Sequence, residues 1–453
     1  METTELRDEI IPVYQQLFRA LERGQERTFH TVFDDLHNYD QAQIFQALSA
    51  QQRRQLIEWV DPVNLADVFD LIDPETIDEQ EYLSEMTPQY AAKLLNAMYV
   101  DNAVDLLGIM PDVQRQRYLQ QLAPEDAKEM RELLGYADQT AGSLMSTEYV
   151  AVDLNLTIGE ALVEVKRQAS ESEQIIYIYV LDHQKLAGVI SLKSLIIHAD
   201  DEQVVDVMTQ NLVTALPNED QENVARLMAD YDLVALPVVS QDDQMLGIIM
   251  IDDILDVIEA ESAEDYERFA GVHNVDFEES PFQSVVKRLP WLLILVFLGL
   301  GTASVIKHYD LVVQQLPLLA VFITLITGTA GNAGTQSLAV AIRRITLHEH
   351  PGVWRMIGVE VLIGLLMGLL AGSTIFLVVW LWTKIWLFGL AVGLAMACAI
   401  TVANLAGTVV PWLMSKVKID PAVASGPFIS TLSDLTSVVI YFNIAEWLLG
   451  LHF

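Results

Sequence analysis

Five long apolar stretches follow Pro290, and they constrain the fold of this chain more than any other feature of its sequence. A helix needs about 20 mostly apolar residues to cross the hydrocarbon core of a bilayer. The stretches approach or exceed that length, so the sequence predicts five membrane-spanning helices. Their predicted bounds are Trp291–Val305, Leu318–Ile342, Val359–Trp382, Trp386–Met414 and Val423–Leu451.

The charged residues divide the chain at the same point. Only six of the 62 acidic residues and seven of the 26 Lys and Arg residues follow Pro290, so the first part has a net charge of −37, against −36 for the whole chain. Such a charge repels nucleic acids and anionic lipid headgroups, which disfavours a nucleic-acid partner. Cations are the natural partners, although an acidic surface that serves solubility alone would have the same composition.

Basic residues predict how the spans are oriented. The first residues, METTELRDEI, are acidic and polar, unlike a secretory signal, so we expect the first part in the cytoplasm. The loops on that side then carry most of the basic residues, in agreement with the positive-inside rule. They are Lys287, Arg288, Arg343, Arg344, Arg355, Lys416 and Lys418, against Lys307 and Lys384 outside, and Phe453 is expected outside.

Residues 30 to 135 have the pattern of short amphipathic helices separated by proline-containing turns such as DPVN, DPET and APED. A weak repeat runs through them, in the segments LADVFDLI, AAKLLNAM, AVDLLGIM and DAKEMRELL. Repeats of this kind predict an all-α helical solenoid.

From Gly142 onward, apolar β-type segments alternate with helical ones, and the pattern occurs twice. This internal duplication resembles a tandem pair of CBS domains over Gly142 to Glu259. CBS pairs often bind adenine nucleotides through a hydroxyl followed three residues later by an Asp. The first copy has Ser191 and Ser194 at these positions and the second has Met250 and Asp253, so the split pattern disfavours ATP.

An acidic segment joins the duplicated part to the spans, and we predict one long helix from Asp252 to Asp276. Glu261, Glu264 and Asp265 lie on neighbouring turns of it, where each like-charge pair costs about a few tenths of a kcal/mol. Bound cations would relieve that repulsion. A solvated connector is the alternative interpretation.

Asp434 is the ionisable residue deepest inside a predicted span, in the segment GPFISTLSDLTSVVIYF. Charged groups in hydrocarbon are costly, so they usually line a polar path or have a partner. No basic residue is expected at the depth of Asp434, which favours an ion path over a structural carboxylate. For Glu360, nearer the cytoplasmic end of its span, both interpretations stay open.

The second span ends in TLITGTAGNAGTQSLAVAIRR, which contains the amides Asn332 and Gln336. Amide dipoles suit a hydrated cation. The glycines of the same motif, Gly328, Gly331 and Gly334, would equally suit close packing of helices.

Four motifs carry a family resemblance: TAGSLM at Thr140–Met145, DDILDVIEAE at Asp252–Glu261, GTAGNAGTQS at Gly328–Ser337 and PFISTLSD at Pro427–Asp434. In this order they closely resemble the MgtE family of magnesium channels, over nearly the whole chain. The resemblance implies a multidomain fold with an all-α N-terminal helical solenoid, an α/β tandem CBS pair, an acidic connecting helix and a five-helix α transmembrane domain. The domains expected are residues 1–138, 139–202, 203–260, 261–288 and 289–453.

The resemblance also implies a function: Mg²⁺ import by a homodimer in the lipid bilayer of a prokaryotic plasma membrane, with Asp434 lining the pore and no enzymatic activity. Bound Mg²⁺ would act as the regulator and close the pore. The cytosolic sites carried over by motif are Asp101, Asp105, Ala229, Asp232, Asp253, Asp256, Glu261, Glu264 and Asp265. Independently of the resemblance, Asp101 and Asp105 lie four residues apart, on one face of a predicted helix.

Two other classes of protein are alternatives to this interpretation. A nucleotide-regulated secondary transporter of Co²⁺ or Mn²⁺ would share the spans, and Gly426, Ala330 and Thr335 depart from the usual family pattern. A membrane enzyme would need clustered His, Ser or paired acids within the spans, which this sequence lacks. The lone Cys398 also provides neither a disulfide framework nor a thiolate zinc site.

Overall fold

The computed structural model describes residues 11–72, 79–169, 175–272, 280–346, 352–417, 421 and 424–450. It forms two compact units, Met1–Ile258 and Glu259–Phe453. Helices and strands are numbered below in chain order.

The described part of the first unit begins with a series of short helices. They are α1 (Ile11–Glu22), α2 (Glu26–Phe33), α3 (Asn38–Ala47), α4 (Ala50–Trp59), α5 (Pro62–Phe69), α6 (Glu79–Ser84), α7 (Pro88–Leu95), α8 (Val100–Gly108), α9 (Asp112–Leu119), α10 (Pro124–Leu133) and α11 (Ala141–Leu144). Helix α3 packs on α5, α5 on α7 and α7 on α9. This stepwise stacking is the arrangement of a solenoid, so the predicted helical solenoid is confirmed.

Prolines and polar caps start these helices where the sequence places its turns. Pro62 begins α5, and the Asp61 carboxylate accepts a hydrogen bond from the Val63 backbone N–H at 3.0 Å. Thr87 accepts one from the Tyr90 backbone N–H at 3.2 Å, ahead of the proline that begins α7. A proline in the first turn forfeits no helical hydrogen bond, and the cap satisfies a donor that would otherwise lack a partner.

The rest of this unit contains two similar α/β modules. Their elements are β1 (Ala151–Asp153), α12 (Ile158–Gln168), β2 (Tyr177–Asp182), β3 (Lys185–Ser191), α13 (Leu192–Ile197), α14 (Val204–Val207), α15 (Gln221–Asp230), β4 (Ala235–Val239) and β5 (Met245–Met250). Strand β2 pairs parallel with β1 and antiparallel with β3. In the second module, β4 pairs antiparallel with β5, and a parallel bridge from Ala215 to Val238 stands where β1 stands in the first. The predicted duplication is therefore confirmed.

Helix α16 (Ile251–Ala270) crosses from the first unit into the second. It is shorter than predicted, because it ends at Ala270 instead of Asp276, and residues 273–276 lie outside the described residues. Gly271 follows it with a φ of +75°, in the left-handed conformation that glycine adopts at helix ends. A side chain there would collide with the indole of Trp291.

The second unit is dominated by long apolar helices. They are α17 (Pro281–His308), α19 (Leu318–Thr346), α20 (Val353–Thr383), α21 (Trp386–Lys416) and α22 (Gly426–Leu449), with the short α18 (Asp310–Gln315) after the first. By length and composition, five helices of the described residues could cross a membrane, as predicted. Helix α21 packs on α19, α20 and α22, and α17 packs on α22.

The largest difference from the predicted bounds is at the first span, which begins at Pro281, ten residues before the predicted Trp291, so that its helix continues through Pro290. Helix α21 continues through Asn404 and Pro411, both of which lie within the predicted fourth span. An internal proline removes one helical hydrogen bond, but the remaining bonds persist because an apolar environment offers the backbone no other partner.

Candidate functional site

Asp434 occupies the ninth position of α22, roughly 12 Å along the helix axis from its first residue. The helix starts at a buried Ser425, whose side chain accepts a hydrogen bond from the Phe428 backbone N–H. Asp434 is half-buried, and no hydrogen bond or ion pair reaches it from any residue that the structure describes. A carboxylate placed in this way is available to a ligand.

Small residues bring α19 close to α22 beside this position. A Cβ atom added to Gly331 would lie 2.7 Å from Ser430 Oγ, and one added to Gly334 would lie 2.9 Å from Ser433 Oγ. Gly328 has nothing within 4 Å. The helix-packing interpretation therefore describes Gly331 and Gly334 but not Gly328.

The amides of the same motif point elsewhere. Asn332, at the midpoint of α19, and Gln336, one turn later, are both exposed on the surface of this unit. An amide that faces lipid at mid-membrane depth leaves its hydrogen-bonding groups unsatisfied. This face of α19 therefore requires water or another polar surface.

Asp101 and Asp105 lie on α8, one turn apart. Asp101 is 7% exposed, and its Oδ1 accepts a hydrogen bond from the Asn102 backbone N–H at 2.9 Å. Burial raises its pKa to about 6, and the nearby Asp252 adds to the shift. Asp105 retains exposed surface, yet burial of its carboxyl raises its pKa to about 7, with Asp101 and Asp138 contributing. Burial and neighbouring negative charge both destabilise the ionised forms, so Asp101 and Asp105 form an acidic pair with raised pKa values.

Asp70, which the sequence analysis missed, belongs to the same group. It accepts hydrogen bonds from the Tyr99 backbone N–H at 3.1 Å and from Asn102 Nδ2 at 3.2 Å. Burial raises its pKa to about 7, and the charges of Asp101 and Asp67 add to the shift. The signal that could have found it is the repeat, because a solenoid sets the ends of successive helices side by side.

The remaining predicted residues of the first unit are less enclosed. Asp253 is half-buried and Asp256 exposed on α16, while Ala229 and Asp232 are exposed at the end of α15. Asp232 has a φ of +51° and donates its backbone N–H to the Ala229 carbonyl at 3.4 Å. Asp tolerates this left-handed conformation better than most residues do.

In the second unit, α16 carries Glu261, Glu264 and Asp265, all half-buried. Burial raises the pKa of Asp265, Arg268 lowers it, and the charges of Glu261 and Glu264 raise it further. Arg268 also forms an ion pair with Glu264. The sequence analysis missed this cation, although its spacing of four residues is an ordinary helical pairing signal.

No group of three His, Cys, Asp or Glu side chains within the described ranges converges closely enough to hold a metal ion. The structure brings Asp101 near Asp105, and Glu261 near Glu264 and Asp265, without completing a ligand set. Mg²⁺ usually keeps several of its waters and is bound through one or two carboxylates. Small groups of acids fit that chemistry better than a fully dehydrating cage would.

Comparison with known proteins agrees with this architecture. The family model "MgtE intracellular N domain" matches residues 36–139, the CBS domain model matches 141–200 and 204–260, and the MgtE model, described as a divalent cation transporter, matches 323–444. The magnesium transporter MgtE of Enterococcus faecalis is 48% identical over 95% of this chain and 96% of its own length.

Two solved structures each resemble a little more than half of this chain. The soluble part of a magnesium transporter covers 56% of this chain and 99% of its own, with 41% identity and a TM-score of 0.54. The cytosolic domain of the Mg²⁺ channel MgtE in complex with ATP covers 54% and 99%, with 33% identity and a TM-score of 0.51. The resemblance predicted from the motifs is confirmed, and the chain belongs to the MgtE family.

Proposed function

We propose that this protein carries Mg²⁺ across the membrane along a path that includes Asp434, and that Mg²⁺ bound to its acidic cytosolic parts shuts the path. Relatives that align over almost the full chain are magnesium transporters, which supports Mg²⁺ as the substrate. They do not favour the alternative of a nucleotide-regulated carrier of Co²⁺ or Mn²⁺. The proposed activity is transport, not catalysis.

The observation that carries the proposal is the half-buried carboxyl of Asp434 inside an apolar helix, without a partner among the described residues. Such a group persists in a membrane when water or an ion reaches it. Mg²⁺ sheds its water reluctantly, so a carboxylate that holds the hydrated ion lets it pass without full dehydration.

A homodimer would complete the path. The exposed Asn332 and Gln336 need a polar surface at membrane depth, and a second copy related by a two-fold axis would supply the same groups in return. Two Asp434 carboxylates facing each other would then double the negative field on the ion.

The test is Mg²⁺ uptake into proteoliposomes by the wild type and Asp434→Asn, with Co²⁺ and Mn²⁺ as competitors. Glu446→Gln, the same change of charge on the same helix, is the matched control. We expect uptake to be lost only in Asp434→Asn. Undiminished uptake in that variant would move the ion path away from α22.

For regulation, we propose that internal Mg²⁺ binds the predicted acids of α8 and the predicted acids of α16, together with Ala229 and Asp232. Bound Mg²⁺ favours the closed state because it relieves repulsion there, and its loss shifts the population toward the open state. Asp101, Asp105 and Asp265 support this proposal, since burial and neighbouring acids raise the pKa of each carboxyl, and for Asp265 they outweigh the charge of Arg268.

Channel recordings with Mg²⁺ varied on the cytoplasmic side test this regulation. Neutralising Glu261, Glu264 and Asp265 together should weaken closure by Mg²⁺. A charge-matched control neutralises three acids outside the proposed sites, Asp112, Glu125 and Glu132. Unchanged closure in the first variant would count against the proposal.

ATP at the CBS pair is a separate prediction. The split sequence pattern disfavours it, whereas the ATP complex of a relative favours it. In the first copy, Ser191 Oγ lies 2.9 Å from Ser194 Oγ and accepts a hydrogen bond from the Ser194 backbone N–H. The acid of the pattern is Asp253, in the second copy. Calorimetric titration of the full chain with ATP, repeated with Asp253→Ala, tests whether ATP binds at this position. ATP binding with unchanged affinity in Asp253→Ala would exclude Asp253 from the ATP site.

We further propose that the protein lies in a prokaryotic plasma membrane with its N-terminus in the cytoplasm, and that it divides at residues 138, 202, 260 and 288. Labelling of single cysteines introduced at Lys307 and at Arg355, in intact cells with an impermeant reagent, tests the orientation. Labelling of the first position but not the second is expected. The reverse pattern would invert the topology.

A further inference from the structure

A second carboxylate is buried in the membrane unit, and its surroundings differ from those of Asp434. Glu360, on α20, is 3% exposed. Its Oε2 accepts a hydrogen bond from Asn404 Nδ2 of α21 at 2.9 Å, and the same amide donates to the Glu360 backbone carbonyl at 3.2 Å. Ser337 Oγ, on α19, lies 3.3 Å from Oε2. One side chain therefore joins three spans.

The groups around Glu360 are hydrogen-bond donors. Arg344 Nη1 lies 3.4 Å from Oε1, and Asn404 presents an amide N–H. Ser337 Oγ also lies 2.7 Å from Thr408 Oγ1 and 2.7 Å from the Asn404 carbonyl, so hydroxyl protons are shared within the cluster. These donors occupy the carboxylate oxygens that a metal ion would need, and the Arg344 guanidinium repels a cation, so we do not assign Glu360 to a second site for the transported ion. That answers the question which the sequence left open for Glu360.

The cluster is connected to the helix that carries Asp434. Ser337 follows Gly334 by three residues on α19, and a Cβ atom on Gly334 would lie 2.9 Å from Ser433 Oγ and 3.3 Å from the Ala403 carbonyl. A Cβ atom on Gly407 would overlap the Gly334 carbonyl oxygen. Helices α19 and α21 thus meet backbone to backbone, and Ser433, the neighbour of Asp434, packs on the same point.

We propose that Glu360 is a positioning residue for ion conduction: its carboxylate, through Asn404 and Ser337, fixes α19 against α21 and thereby sets where the Ser433–Asp434 segment stands. The inference rests on the proposed function of Asp434. Glu360 itself touches no ion. Loss of the Glu360 carboxylate lets α19 and α21, the helices that pack on α22, shift. The fit of the ion path to hydrated Mg²⁺ then changes, although Asp434 is still present to hold the ion.

The test exchanges the two partners. Glu360→Gln replaces one carboxylate oxygen by an N–H₂ group, so one of the donors around this side chain loses its acceptor and the charge is removed, with little change of shape. Combining it with Asn404→Asp returns one carboxylate and one amide to the same pair, now on opposite helices. We expect the single variant to need about tenfold more Mg²⁺ for half-maximal uptake, and about tenfold less Co²⁺ to inhibit it, as the loss of one hydrogen bond to a buried charge produces.

Glu360→Gln combined with Asn404→Asp should return both the Mg²⁺ concentration for half-maximal uptake and the inhibitory Co²⁺ concentration most of the way to their wild-type values. Thr374→Ala is the control on α20, because the Thr374 hydroxyl donates to the Leu370 carbonyl of its own helix. If Glu360→Gln does not fold, Ser337→Ala removes a single hydroxyl of the cluster and should shift both values in the same direction.

Asp434→Asn measured in the same vesicles separates the two proposals. If Asp434→Asn transports normally, the proposed function fails, whatever Glu360 does. If Asp434→Asn is inactive while Glu360→Gln keeps wild-type values for Mg²⁺ and Co²⁺, the positioning role is overturned and the proposed function stands. An exchanged pair that shows no recovery would likewise overturn the role assigned to the contact between Glu360 and Asn404.

Discussion

Ionisation of Asp101 should weaken the first unit, and the size of this effect follows from its burial. Folding raises the pKa of Asp101 from an ordinary 3.8 to about 6. Below pH 3.8 the group is protonated in both the folded and unfolded states, and no stability is lost. Between pH 3.8 and about 6 the unfolded state loses its proton first, so stability falls as pH rises and then levels off. At 1.36 kcal/mol per pKa unit, the loss at neutral pH is about 3 kcal/mol.

Asp101→Asn removes the charge and keeps an oxygen to accept the Asn102 backbone N–H. In Mg²⁺-free buffer at pH 7.5, we expect the amides of α8 in the full chain to exchange hydrogen for deuterium about a hundredfold more slowly than in the wild type. At pH 4.5 the stability advantage of Asp101→Asn over the wild type should shrink to about 1 kcal/mol. At that pH the folded carboxyl is still protonated, and the pH lies only slightly above the pKa of the unfolded carboxyl. Mass spectrometry of peptides that cover α8 measures both values.

Glu58→Gln, on the exposed side of α4, makes the same change of charge and should leave the exchange of α8 unaltered. Adding Mg²⁺ at pH 7.5 should slow exchange in the wild type and have less effect in Asp101→Asn. Equal exchange rates for Asp101→Asn and the wild type at pH 7.5 would refute the reasoning. Faster exchange in the variant would mean that the charge stabilises the unit.

Two further predictions concern packing and a buried ion pair. Gly334→Ala places a methyl group 2.9 Å from Ser433 Oγ, so it should push α19 away from α22 and lower Mg²⁺ uptake. Gly328→Ala is the control, because a methyl group there meets no atom within 4 Å and should leave uptake unchanged. Equal uptake by the two variants would contradict the prediction. Arg53, 7% exposed, donates to both carboxylate oxygens of Glu85 at 2.7 and 3.0 Å. Arg53→Leu should therefore lower the free energy of unfolding by about 3–5 kcal/mol in urea, because it leaves Glu85 buried and unpaired, and Arg53→Leu with Glu85→Leu should recover most of it. A double variant as unstable as the sum of the two single ones would show that the pair is not coupled.

Local patterns allowed much of the architecture to be predicted from the sequence. Two patterns depend only on the residues within one segment: an apolar run long enough to cross a bilayer, and an alternation of apolar and polar residues with a period of two. The five spans and the duplicated α/β modules could therefore be identified without a structure. Prolines and caps marked the starts of helices such as α5 for the same local reason. Helix ends were predicted less well. The continuation of α17 through Pro290 and the end of α16 at Ala270 depend on neighbours that the local pattern does not contain.

The sequence by itself determined which residues could carry charge into the membrane, namely Glu360 and Asp434, because an acid in an apolar run is conspicuous. Only the tertiary structure decided that the two differ. Glu360 meets donors from residues 23 and 44 positions away in the chain, whereas Asp434 meets none within the part of the chain that the structure describes. Asp70 likewise joins the acids of α8 only when α5 and α8 are brought together. The physical reason is that the free energy of a buried charge depends on the groups around it, and those groups converge only when distant helices pack.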